Sequence, residues 1–131
     1  MKDNYDFLKA VVDATMDSMV VIQTDGSFVF TNKSWHELGR VSQWFTDSKW
    51  QSANYLTACD VAAAKGDHFA AKAAKGIRKV SRAEQDVYYL EYPCDGLLAS
   101  RWFVMRVTQF SLADTQYLVI SHHDITARKL A

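Results

Sequence analysis

Four histidines are the residues of this chain with the greatest capacity to bind a metal or exchange a proton. His122 and His123 are adjacent in a segment that we predict to be a strand. Their side chains therefore point to opposite faces of a sheet and cannot chelate one metal as a pair. His36 has no cysteine or acidic residue at ligand spacing. The sequence thus predicts no metal site.

The other reactive side chains do not form a recognisable catalytic group. Cys59 and Cys94 are interpreted as buried thiols, with a disulfide between them as the alternative. A small α+β enzyme would need an inward acid–base pair, for which Asp86, Tyr88 and Tyr92 are the nearest candidates. Because no paired carboxylates and no nucleophile–base pair stand out, we predict that the protein is not an enzyme.

Arginines and aromatic side chains could instead form a binding site. Arg101 and Arg106 have opposite parity in a predicted strand. One of them could therefore reach inward to hold an anionic ligand such as a carboxylate, although an exposed arginine is the more common case. Several aromatic side chains could line a cavity, and core packing is their alternative use. These are Trp35, Tyr55, Phe69, Tyr92 and Trp102.

Length and composition are those of one globular domain. The chain has 131 residues, of which 49% are hydrophobic and 23% are charged. Its formal net charge is zero, so it lacks the basic excess typical of proteins that bind nucleic acid or anionic membranes. No apolar run reaches the roughly 18 residues of a membrane span, and the polar N-terminus is not a signal peptide. We expect a cytoplasmic domain without membrane contact.

The beginning of the chain predicts a helix, a hairpin and a helix cap. Apolar residues at three- and four-residue spacing predict a helix over residues 3–17. Hydrophobic runs on both sides of Asp25-Gly26 predict a β-hairpin with a two-residue type I′ turn, because this dipeptide tolerates positive φ angles. Asn32 is then predicted to cap a short helix.

The rest of the chain predicts further helices and strands. Two helices, over residues 54–65 and 67–80, are separated at Gly66-Asp67, where glycine suits a helix end and aspartate an N-cap. With the hairpin, three later strands form an α+β fold: a five-stranded antiparallel sheet with helices on one face and an N-terminal helix. Since these strands carry large apolar residues at both parities, we expect the N-terminal helix or another subunit to cover the second face. The three strands comprise residues 86–93, 101–110 and 116–123.

Together these segments resemble a PAS domain, and the resemblance covers nearly all of the chain. The hairpin at residues 20–31, followed by Asn32, is similar to the opening strand pair of that family. The ending is similar too, because Asp124-Ile125-Thr126 directly follows the last strand. The middle resembles one bacterial PAS subgroup at Asn54-Tyr55-Leu56, Gly66-Asp67, Gly76-Ile77-Arg78-Lys79-Val80, Glu91-Tyr92-Pro93-Cys94 and Arg101-Trp102-Phe103.

The resemblance implies a sensory module that forms a homodimer and signals to a C-terminal output domain. In this subgroup the output is commonly a histidine kinase of a two-component system or a diguanylate cyclase. The implied signal junction consists of Asp124, Ile125, Thr126 and Arg128, since Asp and Thr can cap the outgoing helix. We expect the chain to have been cut where that helix leaves for the output domain. The expected division is an N-terminal helix packing on the sheet or a dimer partner (1–18), a PAS core (19–126) and the start of the signalling helix (127–131).

The resemblance also implies a small-molecule pocket between the sheet and the helices. Haem is disfavoured because His68, the only candidate axial ligand, lies in the first turn of the helix that would wall the pocket. Flavin is disfavoured because the sequence around Cys59 does not match the reactive-cysteine helix of flavin photoreceptors. The ligand stays unknown, and a ligand-free interaction domain with a filled core is the alternative. The candidate pocket residues are Tyr55, His68, Phe69, Ile77, Tyr92 and Trp102.

Overall fold

The structure is a computed structural model that describes residues 2–35, 54–95 and 100–130. Its elements are α1 (Lys2–Ala14), β1 (Ser18–Gln23), β2 (Phe28–Thr31), α2 (Tyr55–Ala64), α3 (His68–Ser81), β3 (Tyr88–Asp95), β4 (Ser100–Leu112), β5 (Thr115–Asp124) and α4 (Thr126–Leu130). None of the described helices has both the length and the apolar character needed to cross a membrane. His36 lies outside the described residues.

The strands form one antiparallel sheet of five strands in the order β2-β1-β5-β4-β3. The longest pairing joins β4 to β5, from Phe103 opposite Asp124 to Leu112 opposite Thr115. Helices α2 and α3 pack against each other, and α3 packs on β3 and β4. The predicted α+β class, the five-stranded antiparallel sheet and the N-terminal helix are confirmed.

The core lies between the sheet and the helices α2 and α3. Every second strand side chain points to this face, and burial of one large aliphatic side chain stabilises the fold by about 1.5–3 kcal/mol. Ile77 and Val80 of α3 are fully buried above the sheet. Gly76 lets the ring of Tyr88 approach α3, because a Cβ at Gly76 would lie 2.3 Å from that ring. The fully buried strand residues include Val20, Ile22, Met105, Val107, Leu118 and Ile120.

The hairpin between β1 and β2 is present, but its turn is not the predicted one. The Gly26 N–H donates to the Gln23 carbonyl, and the Gln23 N–H donates to the Ser27 carbonyl, so a three-residue loop joins the strands. Positive φ in this loop falls on Gly26 alone, at 95°. The turn is therefore a three-residue loop that ends in a left-handed glycine, and the predicted type I′ turn is wrong because Asp25 does not take the positive φ that it requires.

The break between α2 and α3 has the predicted caps. Asn54 is the N-cap of α2. Gly66, between the helices, has a φ of 104°, which favours glycine. The side chain of Asp67 then caps α3 by accepting hydrogen bonds from the N–H groups of Phe69 and Ala70, at 3.0 and 3.1 Å. These local contacts explain why the two helices could be separated from sequence alone.

The second face of the sheet carries large exposed apolar side chains. Tyr89 and Phe110 are 62% and 42% exposed on this side. On α1, Phe7, Leu8 and Val11 are 66%, 61% and 53% exposed, so this apolar stripe does not pack on the sheet of its own chain. Coverage of the stripe by a partner subunit stays a prediction.

Asn32 connects the end of α1, the start of β1 and the chain after β2. It is fully buried, and its Oδ1 accepts hydrogen bonds from the N–H groups of Met19 and Trp35, both at 2.9 Å. Its Nδ2 donates to the carbonyls of Val12 and Asp17, at 3.1 and 2.9 Å. The bond to Trp35 is the N-cap predicted from sequence. The other three bonds make Asn32 the link between segments that are distant in sequence.

Replacing Asn32 with alanine should lower the free energy of unfolding by about 3 kcal/mol, because buried backbone groups lose their partners. The matched change is Asp67→Ala, which removes an N-cap whose hydrogen bonds to Phe69 and Ala70 are local and should cost about 1 kcal/mol. Urea unfolding followed by circular dichroism measures both. Equal losses in the two variants would contradict the linking role of Asn32.

Candidate functional site

The segment Asp124-Ile125-Thr126 is attached to β4 by backbone and side-chain hydrogen bonds. The Ile125 N–H donates to the Trp102 carbonyl at 2.8 Å, and the Trp102 N–H donates to Thr126 Oγ1 at 2.9 Å. Asp124 Oδ1 accepts from the Thr126 N–H at 2.9 Å, and its Oδ2 pairs with Arg101 Nη1 at 2.6 Å. The first turn of α4 is thus held to the beginning of β4 as well as to the end of β5.

The charge state of Asp124 suits its two contacts, the cap of α4 and the ion pair with Arg101. Partial burial by itself raises the pKa of its carboxyl, but hydrogen bonds from Thr126 and the interaction with Arg101 outweigh that effect and lower the pKa. The carboxylate is therefore ionised at neutral pH. It can cap α4 with one oxygen while it pairs with Arg101 through the other.

Side chains of α4 add a second attachment, on the outer face of the sheet. Lys129 Nζ lies 2.7 Å from Glu91 Oε1 and 4.6 Å from the ring centroid of Trp102. The hydrogen bond and the charge of Lys129, with a smaller contribution from Arg128, lower the pKa of the Glu91 carboxyl. Of the predicted junction residues, Asp124-Ile125-Thr126 thus bond to β4 or form the cap of α4. Arg128 faces solvent.

A hydrogen-bonded histidine lies in the core two residues before the junction. His122 is 2% exposed; its Nδ1 lies 2.7 Å from the Tyr92 hydroxyl and its Nε2 lies 3.1 Å from the Tyr55 hydroxyl. Burial lowers the pKa of His122 from 6.5 to about 4. The imidazole is therefore neutral at pH 7, so one nitrogen donates to a tyrosine and the other accepts from the second. This Tyr55–His122–Tyr92 network joins α2, β5 and β3.

Four of the predicted pocket residues meet in the interior. Tyr55, Ile77 and Tyr92 belong to one buried cluster, and Phe69 is partly buried against it. The ring of Trp35 packs 6.0 Å from that of Tyr55. These side chains therefore contribute to the core between the helices and the sheet.

The other two predicted pocket residues do not line the interior. His68 is exposed in the first turn of α3. Trp102 alternates with the buried Phe103 along β4 and so lies on the opposite face, where Lys129 contacts it. Trp102 thus contacts α4 and not the interior, and the strand parity visible in the sequence could have placed it on that face.

The candidate reactive residues that the structure describes are buried in the core, hydrogen-bonded or exposed, and they do not form a catalytic group. Cys59 is buried as a free cysteine, and burial raises its pKa to about 12, so it is a neutral thiol. Asp86 is exposed, Tyr88 is half-buried, and Tyr92 contacts His122. Within the described ranges, no three His, Cys, Asp or Glu side chains are grouped so that they could hold a metal ion.

An open pocket of about 490 Å³ lies between the end of α1 and the adjoining ends of β4 and β5. The buried residues His122 and Phe103 contribute to its lining, and Arg101 and Lys33 contribute cationic groups. The sequence did not predict this pocket, because it combines residues from four separate segments. One feature of the sequence points to this pocket: Arg101 has the same parity along β4 as Phe103, which faces inward.

Known proteins with similar sequences or structures indicate which fold this chain has. No family model matches the sequence. A Rhodobacter capsulatus protein, described as an uncharacterized 104.1 kDa protein in the hypE 3′ region, is 31% identical over 128 residues. The match covers 94% of this chain but 13% of that protein, so the chain spans a small part of its relative's length.

Solved structures with the same fold are PAS domains. The PAS domain of Bordetella pertussis BvgS has a TM-score of 0.63 at 13% identity, over 98% of this chain and 94% of that one. The PAS domain of the Cronobacter turicensis RpfR quorum-sensing receptor, in complex with BDSF, has a TM-score of 0.55 at 16% identity, over 88% and 99%. The chain therefore has the PAS fold, and the predicted resemblance is confirmed at that level.

The neutral His122 predicts a specific pH dependence of stability. An unfolded histidine takes up a proton near pH 6.5, whereas His122 resists protonation down to about pH 4. The unfolded state therefore binds more protons in this window, and stability is complete above it and is lost as the pH falls through it. Between about pH 7.5 and pH 5 the loss should be about 2 kcal/mol.

Urea unfolding at several pH values measures this slope. The variant His122→Gln should be less stable but should lose the dependence, whereas His68→Gln, at an exposed position, should keep it. A slope that persists in His122→Gln would show that another group is responsible.

Proposed function

We propose that this chain is a sensory PAS module that regulates an output domain through the junction Asp124-Ile125-Thr126. The observation that carries the proposal is the attachment of the first turn of α4 to β4, through Ile125 to the Trp102 carbonyl and Thr126 to the Trp102 N–H. Because α4 is bonded to the strand next to β5, a change in the packing of the sheet changes the position of the outgoing helix.

The mechanism we propose is a population shift between two arrangements of the sheet and α4. The attachments of α4 involve half-exposed side chains: Asp124 and Arg101 are 38% and 50% exposed, and Lys129 and Glu91 are 38% and 47% exposed. Exposed ion pairs are worth about 0–1 kcal/mol each. A signal of modest free energy is therefore enough to exchange them.

The similar structures support a sensory role without defining the signal. A structural neighbour at 10% identity is a PAS domain from a two-component sensor histidine kinase. RpfR is a quorum-sensing receptor whose PAS domain has been solved in complex with BDSF and with C12:0. From these and the resemblance in sequence, we propose a histidine kinase or a diguanylate cyclase as the output. The division into residues 1–18, 19–126 and 127–131 belongs to the same proposal.

A fusion in which α4 continues into the helix of a diguanylate cyclase tests the junction. The variant Asp124→Ala removes the cap of Thr126 and the partner of Arg101, so it should change cyclase output by about tenfold, while the fold loses about 1 kcal/mol. Cyclase assays and thermal unfolding give the two readouts. Asp86→Ala is the matched control at an exposed position. Unchanged output in Asp124→Ala, at unchanged expression, would refute the role of the junction.

Homodimerisation is the second part of the proposal, and the stripe Phe7, Leu8 and Val11 supports it. Their exposure is unusual for apolar residues at helical spacing, and the outer face of the sheet offers apolar area through Tyr89 and Phe110. A second copy of the chain could cover both surfaces at once. Such a contact would also satisfy the expectation that the second face of the sheet is covered.

Substitution of the α1 stripe tests this contact. The double variant Phe7→Lys/Val11→Lys should convert a dimer to a monomer, raising the dissociation constant at least about a hundredfold. Sedimentation velocity over a range of concentrations measures the change. The matched control carries Lys2→Ala and Lys9→Ala on the same helix. A wild-type chain that stays monomeric at every concentration would end this part of the proposal.

A ligand-free interaction domain is the alternative that one observation favours. The interior cluster around Tyr55, Ile77 and Tyr92 is packed, and the described residues contain no buried side-chain polar atom without a hydrogen bond. An interior ligand that needed a hydrogen bond from these side chains would therefore have to exchange an existing one. Native mass spectrometry of the freshly purified chain distinguishes the alternatives, because it reports bound small molecules and subunit number together.

A further inference from the structure

The open pocket beside the junction contains cationic groups with unused hydrogen-bonding capacity. Arg101 uses Nη1 to contact Asp124, at 2.6 Å, and its other guanidinium donors have no partner in the described part of the chain. A guanidinium has five donors in a planar fork that matches an oxyanion. Lys33, also in the lining, forms no close ion pair through its ammonium group with a described residue. The hydrogen bonds from Lys9 and from the Lys33 N–H lower the pKa of Asp13, and the charge of Lys33 makes a smaller contribution in the same direction.

The acidic groups of the same pocket are, by contrast, engaged. Asp17 Oδ1 lies 2.7 Å from His123 Nδ1. Asp13 pairs with Lys9 at 2.7 Å and accepts from the Lys33 N–H at 2.9 Å. The carboxylates of Asp13 and Asp17 thus already have donors, while the guanidinium of Arg101 keeps donors for a further acceptor.

Part of the lining is suited to the body of a small molecule. His122 and Phe103, at 2% and 6% exposed, contribute small areas to the lining, and Ala14 and Met16 add apolar side chains to it. The volume, about 490 Å³, lies within the range of small-molecule sites. A molecule with an anionic group at one end and a flat apolar body at the other would match both parts.

We propose that this pocket binds a small carboxylate- or phosphate-bearing molecule whose oxyanion takes Arg101 away from Asp124. The inference rests on the proposed sensory function and adds the chemical class of its ligand and the site of its action. Asp124 keeps its hydrogen bond to Thr126 but loses its contact with β4 through Arg101. Ligand binding thereby changes the contacts at the start of α4 directly.

The exchange is feasible because both partners of the Arg101–Asp124 pair are half-exposed. Half-exposed ion pairs are weak, and an oxyanion that binds two donors of a guanidinium competes well with a carboxylate that uses one. Arg106 provides an internal control. It lies on the same strand with the opposite parity and is exposed on the other face of the sheet.

The test uses benzoate and phenyl phosphate as anionic probes and benzamide as their neutral counterpart, added to the 131-residue chain. Isothermal titration calorimetry and amide chemical shifts should show saturable binding of an anion, with shifts at Arg101, Asp124 and Thr126, and none for benzamide. Arg101→Gln should weaken anion binding at least about tenfold, whereas Arg106→Gln should leave it unchanged.

A third variant separates competition from general charge effects. Asp124→Asn keeps an oxygen acceptor for the Thr126 N–H and removes the competing charge. It should therefore tighten anion binding about threefold or more, whereas Asp86→Asn, with the same change of net charge, should not. Thermal unfolding of every variant confirms that the fold is retained.

The inference is overturned if neither anion binds saturably at concentrations up to about 20 mM, or if Arg101→Gln and Arg106→Gln weaken binding equally. Failure of the proposed function looks different. In that case anions would bind at Arg101, yet Asp124→Ala would leave the output of the cyclase fusion unchanged. Conversely, a response of the fusion to Asp124→Ala without anion binding would keep the junction and refute the site.

Discussion

Alternation of side chains along β4 and β5 is the constraint on which the rest of this structure depends. In β5 it buries His122 and exposes His123, and in β4 it places Phe103 in the core and Trp102 on the outer face. Because the strands are paired over their length, a slip of one residue in either would reverse all these positions. The core, the network around His122 and the attachment of α4 are therefore consequences of one register.

The polar core at His122 adds specificity to that register. A neutral imidazole between the hydroxyls of Tyr55 and Tyr92 satisfies groups that would each cost about 1–3 kcal/mol if buried alone. The contacts can form only when α2, β3 and β5 are in their native positions. A packing change that separated these three elements would leave buried polar atoms without partners, so the network opposes their separation.

The chain enters and leaves the sheet at the same end. Ser18 at the start of β1 is opposite His122, and Asp124 at the end of β5 is opposite Phe103. The Asp17–His123 contact, at 2.7 Å, joins the residues just after α1 to the last strand. The end of α1, the start of α4 and the pocket with Arg101 therefore lie in one region.

The sequence by itself determined the elements and their local ends, and only the tertiary structure decided which side chains meet. Asn32, Gly66, Asp67 and Asp124 were identifiable because a cap or a left-handed residue acts within a few positions. The type I′ turn at Asp25-Gly26 was wrong because the same dipeptide also suits a three-residue loop. The Tyr55–His122 contact joins residues 67 positions apart, and the pocket collects residues from α1 to β5. Such proximity depends on strand order and packing, which no local spacing specifies.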